Sequence, residues 1–203
     1  MYARYGLAGI LLFLSPLLLI AQRPGQGARL WEELKRTYPG DEHYRVRFSY
    51  DRRSPMTRSA PETAMMIYSK GRYVAILPKI TWYFNGDTLW EYISDTKEVL
   101  ITEHPDSYVL SPSEILEILT RRPVFVRHHG QMQHNGDLCD RLKLDFSGRA
   151  LPYETVYLWI DPQGSLVKVI FLDQWQTSTT IIIESIQNVP EPQSSDFRCT
   201  APQ

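Results

Sequence analysis

Residues 80–103 read ITWYFNGDTLWEYISDTKEVLITE, and their pattern sets the architecture. Three runs rich in aromatic and β-branched residues (80–85, 88–94 and 97–103) are interrupted only at Asn85-Gly86 and Asp95-Thr96. Asn-Gly is the favoured type I′ hairpin turn because both residues tolerate positive φ. Connections this short permit only antiparallel pairing. Upstream, residues 63–69 and 72–77 continue the run of strands, and Tyr44, Val46, Phe48 and Tyr50 alternate with Arg45, Arg47 and Ser49 as in a half-buried strand. Between them the polar stretch 51–62, with two prolines, reads as a loop.

Two segments break the period of two. In residues 28–37, Leu30, Trp31 and Leu34 recur at helical spacing, and Pro39-Gly40 ends the helix. Ser111-Pro112-Ser113-Glu114 combines a capping serine, proline at the first helical position and glutamate three residues after the cap, which predicts a helix over 112–120 with Ile115, Leu116, Ile118 and Leu119 on its apolar face. Strands resume at 123–129, 140–146, 153–160, 165–172 and 176–186, with Asp161-Pro162-Gln163-Gly164 as a hairpin turn; the tail from Pro190 is irregular. About eleven strands and two helices make one mainly β domain over residues 22–203.

Of 203 residues, 43% are hydrophobic and 22% charged, so the chain folds. Lys and Arg (22) balance Asp and Glu (23), which argues against nucleic acid as a partner. Arg4 precedes fourteen uncharged residues, Leu7 to Ile20. As a helix these would extend about 21 Å, against a hydrocarbon core of about 30 Å. With Pro16 inside it, the run fits a secretory signal peptide ending at Ala21 or as late as Ala28; an uncleaved anchor is the alternative.

No G-x-S-x-G, H-E-x-x-H, G-x-G-x-x-G, P-loop or C-x-x-C occurs. His128, His129 and His134 read as loop histidines, since neighbours on a strand point to opposite faces and cannot share a metal. No cofactor and no catalysis are expected. Arg52, Arg53 and Arg58 make a basic patch that could meet an acidic partner or lipid headgroups, or simply solvate a loop. In an oxidising compartment Cys139 and Cys199 would pair, fixing the tail to strand 140–146 and contributing about 4 kcal/mol on the chain-entropy model.

Residues 153–160 place Tyr153, Tyr157 and Trp159 on one face and Val156, Leu158 and Ile160 on the other. Apolar residues on both faces of a strand require cover on both sides. Two short helices supply part of it. The remainder is an apolar ligand or a sheet curled on itself.

The order of these features resembles the periplasmic outer-membrane lipoprotein carriers of the LolA type. The likeness rests on the leader, the first helix, the strand Tyr44–Ser49, Ser69-Lys70-Gly71-Arg72-Tyr73, the central Trp82–Tyr92 with its N-G-D-x-L-W-x-Y, the hairpin Tyr157–Gly164 and Asp196-Phe197. It implies an open antiparallel half-barrel whose helices form a lid over a hydrophobic cavity. The cavity would hold the acyl chains of lipoproteins in transit from an inner-membrane releasing transporter to an outer-membrane acceptor, with the carrier a monomer. The cavity wall would comprise Val46, Phe48, Met66, Tyr68, Trp90 and Tyr92, with Leu158, Ile160, Val169 and Phe171 opposite; the lid would use Leu30, Trp31, Leu34, Ile115, Leu116 and Leu119. Many members hold the lid with an arginine followed by Pro-Asn; here Lys70-Gly71-Arg72-Tyr73-Val74 stands in that place, leaving Arg72 as the candidate. The alternative is an exported binding module of the same fold for another lipid, a protein or a polysaccharide.

Overall fold

The computed structural model describes residues 25–105 and 110–200; the leader, residues 1–21, lies outside them. Helix α1 (Gln26–Thr37) is followed by β1 (His43–Arg53), β2 (Glu62–Ser69), β3 (Arg72–Ile76), β4 (Ile80–Phe84), β5 (Thr88–Ile93) and β6 (Glu98–Glu103). Helix α2 (Glu114–Glu117) runs on into a 3-10 turn (Ile118–Thr120). Then come β7 (Phe125–His134), β8 (Asp137–Asp145), β9 (Thr155–Ile160), β10 (Leu166–Leu172), β11 (Ser178–Asn188) and a last 3-10 turn (Ser194–Phe197).

The eleven strands form one antiparallel sheet in the order β6-β5-β4-β3-β2-β1-β11-β10-β9-β8-β7. The chain meanders out to β6, crosses through α2 to the far edge, and winds back until β11 pairs with β1. Register shifts at Arg47/Phe48, His128/Gln131 and Leu166/Lys168 add curvature. The edges β6 and β7 stay apart, so the sheet is an open half-barrel. No helix among the described residues is long and apolar enough to cross a membrane.

Both helices lie on the concave face. Trp31 and Leu34 of α1 are buried there, while Lys35 and Arg36 in the last turn complement the helix dipole. Gly27 lets α1 touch β7: a Cβ at this position would stand 2.6 Å from the His128 backbone nitrogen. Ala28, the later of the two cleavage points, sits inside this helix. Ile115, Leu116, Ile118 and Leu119 are all buried in the same core.

Several local expectations change. The central loop is not a type I′ turn: only Gly86 has positive φ, and the Asn85 Oδ1 accepts the Asp87 and Thr88 N–H groups, closing a three-residue connection. The I′-like pairs of positive φ are Lys70-Gly71 and Asn135-Gly136. The latter closes the β7–β8 hairpin, so His128, His129 and His134 sit on a strand and not in a loop. The capping box at α2 does not form either; Glu114 turns inward instead.

Candidate functional site

Strand register assigns each side chain to a face. Tyr73 pairs with Phe84 and Tyr68, and Ala75 with Trp82 and Met66, placing all six on the concave side. Val74 pairs with Tyr83, which pairs with Trp90; Ile76 pairs with Thr81, which pairs with Tyr92. Trp90 and Tyr92 are therefore on the convex face, not in the cavity wall. The expectation failed by one residue of parity, which turns every side chain of a strand over.

The other eight wall candidates, Val46, Phe48, Met66, Tyr68, Leu158, Ile160, Val169 and Phe171, all face inward and are buried. Only Phe48 and Phe171 line the open space. The rest lie under α1, α2 and the turn after α2. A hollow of about 570 Å³ remains at the opposite end of the concave face, where β1, β10 and β11 meet the segments around Leu110 and Leu151. Its wall is mostly apolar, with Tyr50, Leu77, Trp82, Leu151 and Ile181 beside the two phenylalanines. Arg52, Arg149, Glu154 and Asp173 ring it with charge. The volume falls within the usual range for small-molecule sites, roughly 300–1,000 Å³.

Polar groups along this wall are fixed. The Tyr50 hydroxyl donates to Glu62 at 3.0 Å; burial, with that hydrogen bond, pushes its pKa up to about 12. Tyr153, expected on β9, belongs to the preceding loop and turns into the core, where its hydroxyl donates to Glu114 at 2.6 Å. Arg121 reaches the other Glu114 oxygen at 2.6 Å and Glu117 at 3.2 Å. Burial raises the Tyr153 and Glu117 pKa values. For Arg121 burial acts downward, but the Glu114 charge and hydrogen bond outweigh it and hold the guanidinium protonated.

The Tyr153 hydroxyl ties α2 to the loop before β9, while Arg121 closes the α2 segment on itself through Glu114 and Glu117. Arg72, the expected lid residue, lies on the outer side, 4.7 Å from the Phe197 ring centre and 3.2 Å from the Ser194 hydroxyl, where it holds the tail. That tail covers the convex face of β3.

Cys139 and Cys199 are free thiols. Cys139 is buried on β8, whereas Cys199 neighbours Tyr83 of β4, and six strands separate β4 from β8. A disulfide needs Cα atoms within about 7 Å, so the expected bridge is not made. Among the described residues no three His, Cys, Asp or Glu side chains converge as metal ligands. His128 is buried and hydrogen-bonds Asp140 at 2.7 Å. His129 faces outward against Tyr157, its pKa lowered by burial and then by Arg141, Lys143 and Arg127. Trp159 on the same outer face is only 4% exposed, under Arg141 and Lys168.

Several solved structures match this architecture. LprF from Mycobacterium bovis aligns at 11% identity over 90% of this chain and 98% of that chain, with a TM-score of 0.53. An uncharacterized conserved protein from Thermus thermophilus aligns at 8% identity over 84% and 91%, with a TM-score of 0.51. A LolA superfamily protein from Nitrosomonas europaea aligns at 11% identity over 85% and 97%, with a TM-score of 0.46. The chain shares the fold of LprF and of the Thermus thermophilus protein. At these identities the likeness is one of fold alone. No family model and no curated sequence matches the chain.

The open half-barrel thus carries a hollow on its concave face, and of the expected wall residues only Phe48 and Phe171 line it. Of the missed wall residues, Tyr50 was legible because it alternates in step with Phe48 along β1, whereas Trp82 joins the wall only through its pairing with Ala75. Leu110 and Leu151 lie outside any strand, and no periodicity marks them.

Proposed function

We propose that this protein is a non-catalytic lipid carrier, exported to the periplasm, that shelters the acyl chains of lipoproteins in its concave hollow and moves them from the inner to the outer membrane. One observation carries the reading: an apolar space of about 570 Å³ under an open sheet, next to helices that fill the rest of the same face. Each acyl CH₂ removed from water contributes about 0.8 kcal/mol, so a ten-carbon segment supplies roughly 8 kcal/mol before ordering costs. Release then needs a competing occupant for the empty space. Leu30, Trp31 and Leu34 on α1 and Ile115, Leu116 and Leu119 on α2 are suited to that role, because they already pack on the same surface.

Native mass spectrometry of protein purified from the periplasm tests this directly. A bound acylated protein or lipid is expected; an empty chain under every condition would sink the reading. Thr179→Phe puts a ring into the hollow. It should abolish stoichiometric binding of an apolar dye while shifting the melting free energy by about 1 kcal/mol or less.

A further inference from the structure

Tyr153 belongs to two regions at once. Its ring lines the hollow beside Phe171, with 5.0 Å between ring centres, and packs against Phe146 at 5.5 Å. Its hydroxyl donates to Glu114 of α2 at 2.6 Å. Leu110, Ser111 and Pro112, which lead into α2, border the same space. Beyond Glu114 the chain enters the packed core with Ile115 and Ile118, both fully buried. Tyr153 and the start of α2 therefore stand where the hollow ends and the filled part of the concave face begins.

Glu114 is only 6% exposed. A buried carboxylate is costly unless its charge and lone pairs are met; Arg121 meets one oxygen and Tyr153 the other. Burial of Ile115, Leu116, Ile118 and Leu119 holds α2 on the sheet without any such group. What the Tyr153–Glu114 bond adds is direction, because it fixes how far α2 stands from the hollow. That distance sets the capacity. At roughly 30 Å³ for a methylene, close to the share of one water molecule in the liquid, the hollow of about 570 Å³ holds about 19 methylenes. One long acyl chain fills the space and two do not fit.

We infer that the hollow is a one-chain site whose limit is set by Tyr153, a positioning residue that acts through Glu114. A lipid with two chains shelters one and leaves the other in water, where each exposed methylene weakens binding about fourfold. The inference rests on the carrier reading and narrows it: cargo with more than one chain enters only once the Tyr153–Glu114 bond opens and α2 moves away from the hollow.

The test is extraction from dioleoylphosphatidylglycerol vesicles doped with oleoyl-lysophosphatidylglycerol, two lipids that share head group and chain and differ in chain number. Native mass spectrometry then reads the lipid on protein recovered from the vesicles. Wild-type protein should carry one lyso lipid and at most a trace of diacyl lipid. Tyr153→Phe keeps the ring and loses the bond to Glu114. It should raise the ratio of diacyl to lyso lipid about tenfold or more, the factor expected for a lost hydrogen bond to a charged group. Tyr44→Phe is the control: it removes an equally buried tyrosine's hydroxyl, which donates to the Pro39 carbonyl at 3.1 Å and does not line the hollow, and it should keep the wild-type ratio. Thr179→Phe fills the hollow and should carry neither lipid. Circular dichroism melts check that each variant folds. Two lyso lipids per chain, equal loading of both lipids on wild-type protein, an unchanged ratio in Tyr153→Phe, or the same rise in Tyr44→Phe overturns the inference. Each of these leaves the carrier reading standing, since lipid is bound. Absence of both lipids from wild-type and Tyr153→Phe protein alike removes the carrier reading and this inference with it.

Discussion

One end of the concave face is filled and the other is hollow, although the same sheet makes both. At the filled end Tyr44, Val46, Met66 and Leu158 are covered by Trp31 and Leu34 of α1 and by Ile115 and Ile118. At the hollow end the wall side chains are no smaller: Phe48, Trp82 and Phe171 are among them. What differs is the cover. The chain spends both helices on one end and leaves only the stretches around Leu110 and Leu151 to rim the other. A cavity in this fold is therefore a missing layer, not a deficit of side-chain volume.

The sharpest way to break that contrast is Leu34→Ala. Leu34 is 1% exposed, and its loss should cost about 2–5 kcal/mol in denaturant unfolding. Leu110→Ala, on the hollow's rim, should cost about 1 kcal/mol or less, because its side chain already borders open space. Equal losses would mean that the two ends are packed alike. Next in size is Arg121→Met, which removes one partner from the Glu114–Tyr153 network and should cost about 2 kcal/mol. Because the network braces α2, dye affinity should change with it.

Alkaline titration compares the ends through their tyrosines. Burial raises Tyr44 and Tyr73 at the filled end, and Tyr50 in the hollow, from 10 to about 12. A folded-state value above the unfolded one means the native state keeps its protons longer. Stability from these groups is complete below pH 10 and declines as pH rises from 10 to about 12, so unfolding in that window should follow phenolate absorbance. The smallest expected effect is that of reductant. With both cysteines free, dithiothreitol should leave the melting curve unchanged, whereas a bridge of this span would have contributed about 4 kcal/mol.

Strand existence and antiparallel order were legible because a period of two and short turns are local properties. The alternation in Tyr44–Tyr50 put Val46 and Phe48 inward, and the central aromatic hairpins were found where expected. The β7–β8 hairpin was not, because Arg127-His128-His129-Gly130-Gln131 lacks clean alternation and holds a bulge at an edge strand. Trp90 and Tyr92 were misassigned because a face is defined only through pairing: Trp90 points outward because its partner Tyr83 does. Arg121 was not singled out although Glu117 and Glu114 lie only four and seven residues before it; what no local pattern shows is that Glu114 is buried against Tyr153, 39 residues away.

By itself the sequence determined an antiparallel, mainly β chain with two amphipathic helices, since periodicity and turn chemistry act over a few residues. Only the tertiary structure decided which face is concave, which end the helices cover and where the open space of about 570 Å³ remains. Those depend on strand order and on how far two short helices reach across eleven strands, distances that no local pattern encodes.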